Sequence, residues 1–199
     1  MLKKISQLIL SALGWQLDAQ LPTVKKYVIV GAFHTSNWDF PMSILGLWAM
    51  GLKACWVGKH TLFRGPLGPV FRLMGGIPVD RTIRTGFIHR IAEQYKSRDQ
   101  MVLTIAAEGT RSKTEYWKTG FYHIAAEANV PVALAYLDYG NKRLGIGASF
   151  YPCGDINKDF EIIREFYKDK SGLRPENQGP IALPPKYTAD ADQGVRDSA

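Results

Sequence analysis

Short runs of uniformly apolar residues recur along the chain and are separated by longer segments with a mixed pattern. Runs without polar alternation are typical of strands that are buried on both faces of a sheet. Such strands are predicted at residues 27–33, 54–57, 101–106 and 130–137. Two further short strands are predicted at residues 77–79 and 147–151.

The segments between these runs carry apolar residues at the spacing of amphipathic helices. Helices are predicted at residues 40–52, 86–98 and 120–128, and a further helix begins at Asp155 or Asn157. Thr85 is the expected N-cap of the second helix, because its hydroxyl can accept from a free amide of the first turn. Asn129 is expected to end the third helix.

Residues 60–76 interrupt the pattern, because they are rich in Gly and Pro and predict a packed loop or short helices. The alternation of buried strands with helices predicts a single α/β domain. Its mostly parallel or mixed sheet is expected to carry helices on both faces. The composition agrees, since 46% hydrophobic and 22% charged residues in a chain of 199 exclude general disorder. Cys55 and Cys153 are too few for a disulfide framework or a zinc site.

The N-terminus carries apolar residues at helical spacing, at positions 2, 5, 8, 9, 12 and 13, with Lys3 and Lys4 off this stripe. The pattern predicts an amphipathic helix that either docks on the domain core or lies in a membrane interface, with Trp15 at headgroup level. Polar interruptions argue against a signal peptide and against a transmembrane span. We therefore expect an anchoring helix at residues 1–20, the α/β domain at 21–170, and an irregular, disordered tail at 171–199.

The formal net charge of +7 favours anionic partners, such as phosphates, acidic lipid surfaces or nucleic acid. The basic residues are scattered, however, and no nucleic-acid-binding motif is present. The sequence therefore predicts an anionic lipid or phosphate partner and no nucleic acid.

Chemically active side chains follow three of the predicted strands. His34 and Asp39 come after the first strand, Lys59 after the second, and Glu108 and Arg111 after the strand at 101–106. Ligand sites in open α/β sheets form at the carboxyl ends of the strands, so these residues are expected to meet. An aspartate bonded to one imidazole nitrogen would make the other nitrogen a general base. A structural histidine is the alternative interpretation of the same spacing.

The segment EGTRS, residues 108–112, has the composition of a phosphate-binding turn. Gly109 permits a close backbone approach, Thr110 offers a hydroxyl, and Arg111 offers a planar fork of donors. Lys59 and Arg81 are candidates for further phosphate contacts. The alternatives are a surface turn with a Glu–Arg ion pair and ordinary solvated basic side chains.

With these blocks in order, the chain resembles the glycerolipid acyltransferases typified by 1-acylglycerol-3-phosphate acyltransferase. The matching blocks are HTSNWD at 34–39, GKHTLFRGPLG through IPVDR at 58–81, EGTRS at 108–112 and VPVALAYL at 130–137. The resemblance covers roughly residues 25–140. One departure is the pair of alanines at 106 and 107, where family members commonly carry Phe-Pro.

The resemblance implies a glycerol-3-phosphate acyltransferase-like fold with His34 as general base and Asp39 as its partner. It further implies that Glu108, Gly109, Thr110 and Arg111 shape the acceptor site, with Lys59 and Arg81 as additional phosphate contacts.

The implied reaction is phospholipid synthesis, in which an acyl chain passes from acyl-CoA or acyl carrier protein to lysophosphatidate. No resident cofactor and no metal are implied. The expected location is the cytoplasmic face of the cell membrane, as a peripheral or monotopic protein. Three alternatives remain open, namely another lyso-lipid acceptor, glycerol-3-phosphate, or a non-catalytic lipid-binding protein.

Overall fold

The computed structural model describes residues 1–79 and 86–187, and this part of the chain contains one sheet of seven strands. The strands are β1 (Gln16–Ala19), β2 (Lys26–Ala32), β3 (Cys55–Lys59), β4 (Gly76–Val79), β5 (Met101–Ala106), β6 (Val132–Asp138) and β7 (Arg143–Phe150). Their order is β1-β7-β6-β2-β5-β3-β4. All neighbours are parallel except β6 and β7, which form an antiparallel hairpin. The predicted α/β domain with a mostly parallel sheet is confirmed.

Helices cover both faces of the sheet, as predicted. They are α1 (Leu2–Ala12), α2 (Asp39–Met50), α3 (Gly68–Leu73), α4 (Phe87–Lys96), α5 (Gly120–Ala128) and α6 (Ile156–Tyr167). Short 3-10 helices span His60–Phe63 and Pro175–Asn177. We refer to the side with the first three helices as the α1–α3 face and to the opposite side as the α4–α6 face.

Neighbouring residues of the central strand β2 show how the two faces are divided, because successive side chains of a strand point to opposite sides. Ile29 joins a buried cluster with Leu47 of α2. Val30 joins a second buried cluster with Phe121 of α5 and Phe160 of α6. The uniformly apolar composition of β2 is explained by this burial on both sides.

Local signals in the sequence place several helix ends correctly. The helix predicted at 120–128 is α5, and Asn129 ends it in the left-handed conformation at φ 51°. Asp155 caps α6, since its carboxylate accepts from the amides of Asn157 at 3.1 Å and Lys158 at 3.3 Å. The prediction for α4 is wrong in its cap: Gly86, at φ 77°, occupies that position, and Thr85 lies outside the described residues.

The apolar pattern does not predict β1, and it places the start of β7 four residues too late. β1 is a short edge strand that contains two polar residues, Gln16 and Asp18. Asp18 accepts hydrogen bonds from Arg143 and Tyr136, while Leu17 packs against the apolar clusters of the α1–α3 face. The expected boundary between the anchoring helix and the domain, at residue 20, therefore separates β1 from the other strands of its sheet, since β1 pairs in parallel with β7.

The N-terminal helix α1 docks on α2 through the side opposite to its apolar stripe. Ser6 and Leu10 are its buried residues, and Gln7 Nε2 donates to the carbonyl of Ala49 at 3.0 Å. Trp15 packs edge-on against Tyr139, with ring centroids 5.0 Å apart. The stripe itself stays exposed, at Leu2, Ile5, Leu8, Ile9 and Leu13. Within the described ranges, no helix is both long and apolar enough to cross a bilayer.

The segment that follows α6 is irregular, as expected, but residues 171–187 are packed against the domain. Leu183 is buried in the cluster of the α4–α6 face, and the carbonyl of Ala182 accepts from the amide of Trp117 at 2.9 Å. This segment therefore contributes Leu183 to the core, while Leu173 is 40% exposed. The remaining residues, 188–199, lie outside the described ranges.

Candidate active site

His34 and Asp39 meet at the carboxyl end of β2, the central strand of the sheet. Asp39 is the first residue of α2, and the short connection from β2 brings its carboxylate back to the histidine. His34 Nδ1 lies 3.3 Å from Asp39 Oδ2. The aspartate side chain is only 2% exposed, whereas the imidazole is 28% exposed. The pair therefore presents a solvent-accessible imidazole that is anchored to a buried carboxylate.

Asp39 is held by three further donors besides the imidazole. The amides of Thr35 and Ser36 each donate to Oδ2 at 2.7 Å, and the Tyr139 hydroxyl donates to Oδ1 at 2.9 Å. Burial alone would raise the pKa of Asp39, but the bonds from His34, Ser36 and Tyr139 outweigh it and lower the pKa. The carboxylate thus stays ionised and fixes the proton of His34 on Nδ1, which leaves Nε2 as the basic nitrogen.

Glu108 follows β5, the neighbour of β2, and fixes the backbone of the histidine. Its Oε1 accepts from the amide of His34 at 3.0 Å, and the residue is buried. Burial raises the pKa of Glu108, against the opposing effect of the hydrogen bonds from its own amide and that of His34. Glu108 is buried with its Oε2 unpaired, whereas Arg111 is exposed, so these two residues do not form the Glu–Arg ion pair of a surface turn.

The loop after β5 forms one wall of an open cleft of about 320 Å³. The cleft is lined by Glu108, Thr110, Thr114, Glu115, Tyr116 and Lys118. Gly109 has φ 66°, and a Cβ atom at this position would meet the Lys118 side chain at 3.0–3.1 Å. The positive φ favours a glycine at this position, and the flexible Lys118 side chain lies close to it.

Lys59 is the exposed last residue of β3, at the same sheet edge. Trp56 of β3 pairs with Thr104 of β5, which aligns the ends of the two strands. The third predicted cation, Arg81, lies outside the described residues. The structure thus places His34, Asp39 and the 108–111 loop at the carboxyl ends of the neighbouring strands β2 and β5. Lys59 lies at the carboxyl end of β3, the next strand of the sheet.

Sequence reasoning misses two residues of this site. Tyr139 follows the carboxyl end of β6, the other neighbour of β2, so the strand-end rule that found His34 could have found it. Lys118 lies in an irregular segment ahead of α5, and its position over Gly109 depends on the path of that segment. No spacing rule indicates that position.

The connection from β2 to α2 is also held from the far end of the chain. The hydroxyl oxygen of Thr35 accepts from the amide of Arg174 at 3.2 Å. The backbone carbonyl of Thr35 accepts from Asn177 Nδ2 at 3.4 Å. The segment 171–187 therefore supports the loop that carries the histidine.

The fold and the site combine a mostly parallel α/β sheet with a His34–Asp39 pair at the carboxyl end of β2. A family model described as Acyltransferase matches residues 16–136, which is more than half of the 199 residues. The chain belongs to this acyltransferase family, and it is an enzyme that transfers acyl groups. None of the curated proteins compared with the chain matches it significantly.

Proposed function

We propose that the enzyme transfers a fatty acyl chain from acyl-CoA or acyl carrier protein to the free hydroxyl of lysophosphatidate, in phospholipid synthesis. The observation that carries the proposal is the 3.3 Å contact of His34 Nδ1 with the buried Asp39 carboxylate. This pair lies at the same sheet edge as a loop whose arginine suits a phosphate.

In the proposed reaction, His34 Nε2 takes the hydroxyl proton while the acceptor oxygen attacks the thioester carbonyl. The tetrahedral intermediate collapses, the carbon–sulfur bond breaks, and the thiolate leaves with the proton from the imidazolium. The products are an ester and a free thiol. Asp39 stabilises the imidazolium that exists between the two proton transfers. The thioester is a co-substrate, and we propose no resident cofactor or metal.

The acceptor phosphate is proposed to lie against Arg111 and Thr110, with Lys59 and Arg81 as further cationic contacts. Lys118 extends this group, because it lines the cleft beside Thr110. Glu108 and Gly109 act through the shape of the loop. A charge-assisted hydrogen bond contributes about 1.5–3 kcal/mol, so one arginine has a measurable effect on acceptor affinity.

An amphiphilic acceptor favours a membrane surface as the place of reaction. The apolar stripe of α1 is exposed, and the helix contains two lysines and no acidic residue. We propose that α1 lies on the cytoplasmic face of the cell membrane and attaches the enzyme peripherally or monotopically. Trp15 packs against Tyr139 and so contributes to the domain, besides any contact with headgroups.

The first experiment supplies purified protein with acyl-CoA or acyl carrier protein thioester and a panel of lyso-acceptors, with products identified by mass spectrometry. His34→Ala is expected to lower turnover about 10²–10⁴-fold, the usual contribution of general-base assistance. A folded H34A protein with near-native turnover would overturn the assignment of the base.

The panel also separates the remaining acceptors. Arg111→Ala is expected to raise KM for a phosphate-bearing acceptor and to leave a phosphate-free acceptor unaffected, while Lys113→Ala serves as a control on a nearby exposed cation. An equal loss with both acceptors would remove the phosphate contact from the proposal. Binding of lyso-lipid without turnover would instead favour the non-catalytic alternative.

A further inference from the structure

A second exposed apolar surface lies on the first 3-10 helix and α3, far along the chain from α1. We call it the α3 ridge, formed by Leu62, Leu67, Val70 and Leu73. Leu67, Val70 and Leu73 are three residues apart, so they lie on one side of α3. Leu73 is 89% exposed and Leu67 is 58% exposed.

The core contact of α3 is made by a different residue, Phe71, which is partly buried. Phe71 packs against Phe40 of α2 and Trp56 of β3, with ring centroids 6.1 Å and 5.9 Å apart. Because Phe71 already provides the core contact of α3, the ridge residues are not needed to attach this helix to the core. The four residues of the ridge remain without a covering element in the described part of the chain.

The charged residues of the segment that carries the ridge are all basic. Residues 54–79 include Lys59, Arg64 and Arg72, and they contain no aspartate or glutamate. Residues 1–17, which carry the exposed stripe of α1, likewise contain two lysines and no acidic residue. Exposed leucines within basic segments match an anionic bilayer, into which leucines insert while the basic side chains bind headgroups.

The two surfaces lie on the same face of the sheet. α1 docks on α2 through Leu10 and Ala49, and α3 reaches α2 through Phe71 and Phe40. Trp38, which is 67% exposed, precedes α2 directly and adjoins Asp39 in the chain. The α1–α3 face therefore offers apolar contacts on both sides of α2 and one more at the mouth of the site.

We infer that the α3 ridge is a second lipid-contact surface, which together with α1 lays the α1–α3 face on an anionic bilayer. Two separated contacts fix the orientation of a protein on a surface, which one helix cannot do. The bilayer then lies beside the edge that carries His34. The inference deepens the proposed acyl transfer to a membrane lipid, and its test is separable because vesicle binding needs no turnover.

The test uses the full chain and phosphatidylcholine vesicles with or without phosphatidylglycerol, and it measures sedimentation. The double variant Leu67→Glu with Leu73→Glu places charges on the ridge, and Ile162→Glu is the matched control on α6, at a residue 45% exposed. We expect the double variant to bind anionic vesicles at least about tenfold more weakly, since each buried leucine contributes on the order of tenfold. The control is expected to bind like the unchanged protein.

Circular dichroism and urea unfolding check that the variants fold, as expected for positions with this exposure. Arg64→Glu provides a second reading, with a loss of about fivefold or more that disappears in vesicles without anionic lipid. Unchanged vesicle binding by L67E/L73E would overturn the inference, as would a ridge that proves to join two copies of the chain in solution. Activity on a short-chain, water-soluble acceptor is expected to persist in L67E/L73E, and its absence in all proteins would count against the proposed function instead.

Discussion

The two faces of the sheet use apolar residues in different ways. On the α4–α6 face, the helices bury most of their large apolar side chains, such as Phe121 and Phe160, with Ile162 as an isolated exposed residue. On the α1–α3 face, apolar side chains remain exposed after the core is filled, and the residues beside them are basic. The comparison shows that the apolar sides of the helices form the core on the α4–α6 face, whereas on the α1–α3 face part of the apolar surface stays exposed to solvent.

The largest expected effect is on folding stability and separates the two faces. Phe160 is fully buried and packs against Trp117 and Phe121. Phe160→Ala should lower the free energy of unfolding by about 3–5 kcal/mol, because it removes core contacts and leaves a cavity. Leu73→Ala on the opposite face should change it by less than about 0.5 kcal/mol. Urea unfolding measures both, and comparable losses would abolish the comparison.

The next effect is on membrane affinity and belongs to α1. Leu8 is 71% exposed and lies away from the docked residues of its helix. Leu8→Glu should weaken binding to anionic vesicles by about tenfold or more, with unfolding free energy unchanged. Leu8→Ala should produce a smaller loss of the same kind. Vesicle flotation checks the series, and a loss of stability in L8E would show that the stripe serves the core after all.

Tyr139 connects the N-terminal segment to the His34–Asp39 pair, because it contacts Trp15 and donates to Asp39 Oδ1. Tyr139→Phe should remove about 1.5–3 kcal/mol of stabilisation of the ionised carboxylate and so raise the pKa of Asp39. The lowered pKa of Asp39 stabilises the fold above the ordinary aspartate range, and this contribution is lost as the pH falls through the folded-state pKa.

The Y139F protein should therefore be less stable near neutral pH, and its stability should begin to fall at a higher pH on the acid side. Profiles of unfolding free energy against pH check this outcome. If Y139F folds and the acid side of its stability profile is not shifted, the tyrosine is only a packing residue.

The smallest effect concerns how the helices begin. Asp155 caps α6, whereas no side chain caps α1. Asp155→Ala should cost about 1 kcal/mol of stability, and Asp155→Asn much less, because an amide oxygen can still accept from the two amides. Thermal unfolding of the two variants tests the cap. Equal losses would indicate that charge and not capping matters at this position.

The sequence predicts those parts of the molecule whose signals are local. The buried strand β5 and the helix α5 agree with their predicted bounds, since burial on both faces and an αL asparagine leave plain patterns. His34 and Asp39 are found because a single strand and one helical turn bring them together. These features depend on few residues that are close in the chain.

Features that depend on distant parts of the chain are not predicted. β1 is held by a polar pair with β7, and the apolar stripe of α1 is exposed because Ser6 and Leu10 fit α2 instead. Tyr139 and Lys118 reach the site through tertiary packing, which no residue spacing records. Periodicity identifies the amphipathic sides of a helix, but the neighbouring elements decide which side is covered.

The hydrogen bonds that Thr35 receives from Arg174 and Asn177 make the loop that carries His34 depend on residues as far along the chain as 177. The recognisable family region ends at residue 136, before Tyr139 and well before these two donors. A fragment cut at that border would keep His34, Asp39 and the EGTRS segment and still lose the groups that hold the histidine loop and the aspartate. Insertions and fusions between residues 136 and 187 should therefore lower turnover, as mutations of the active site do.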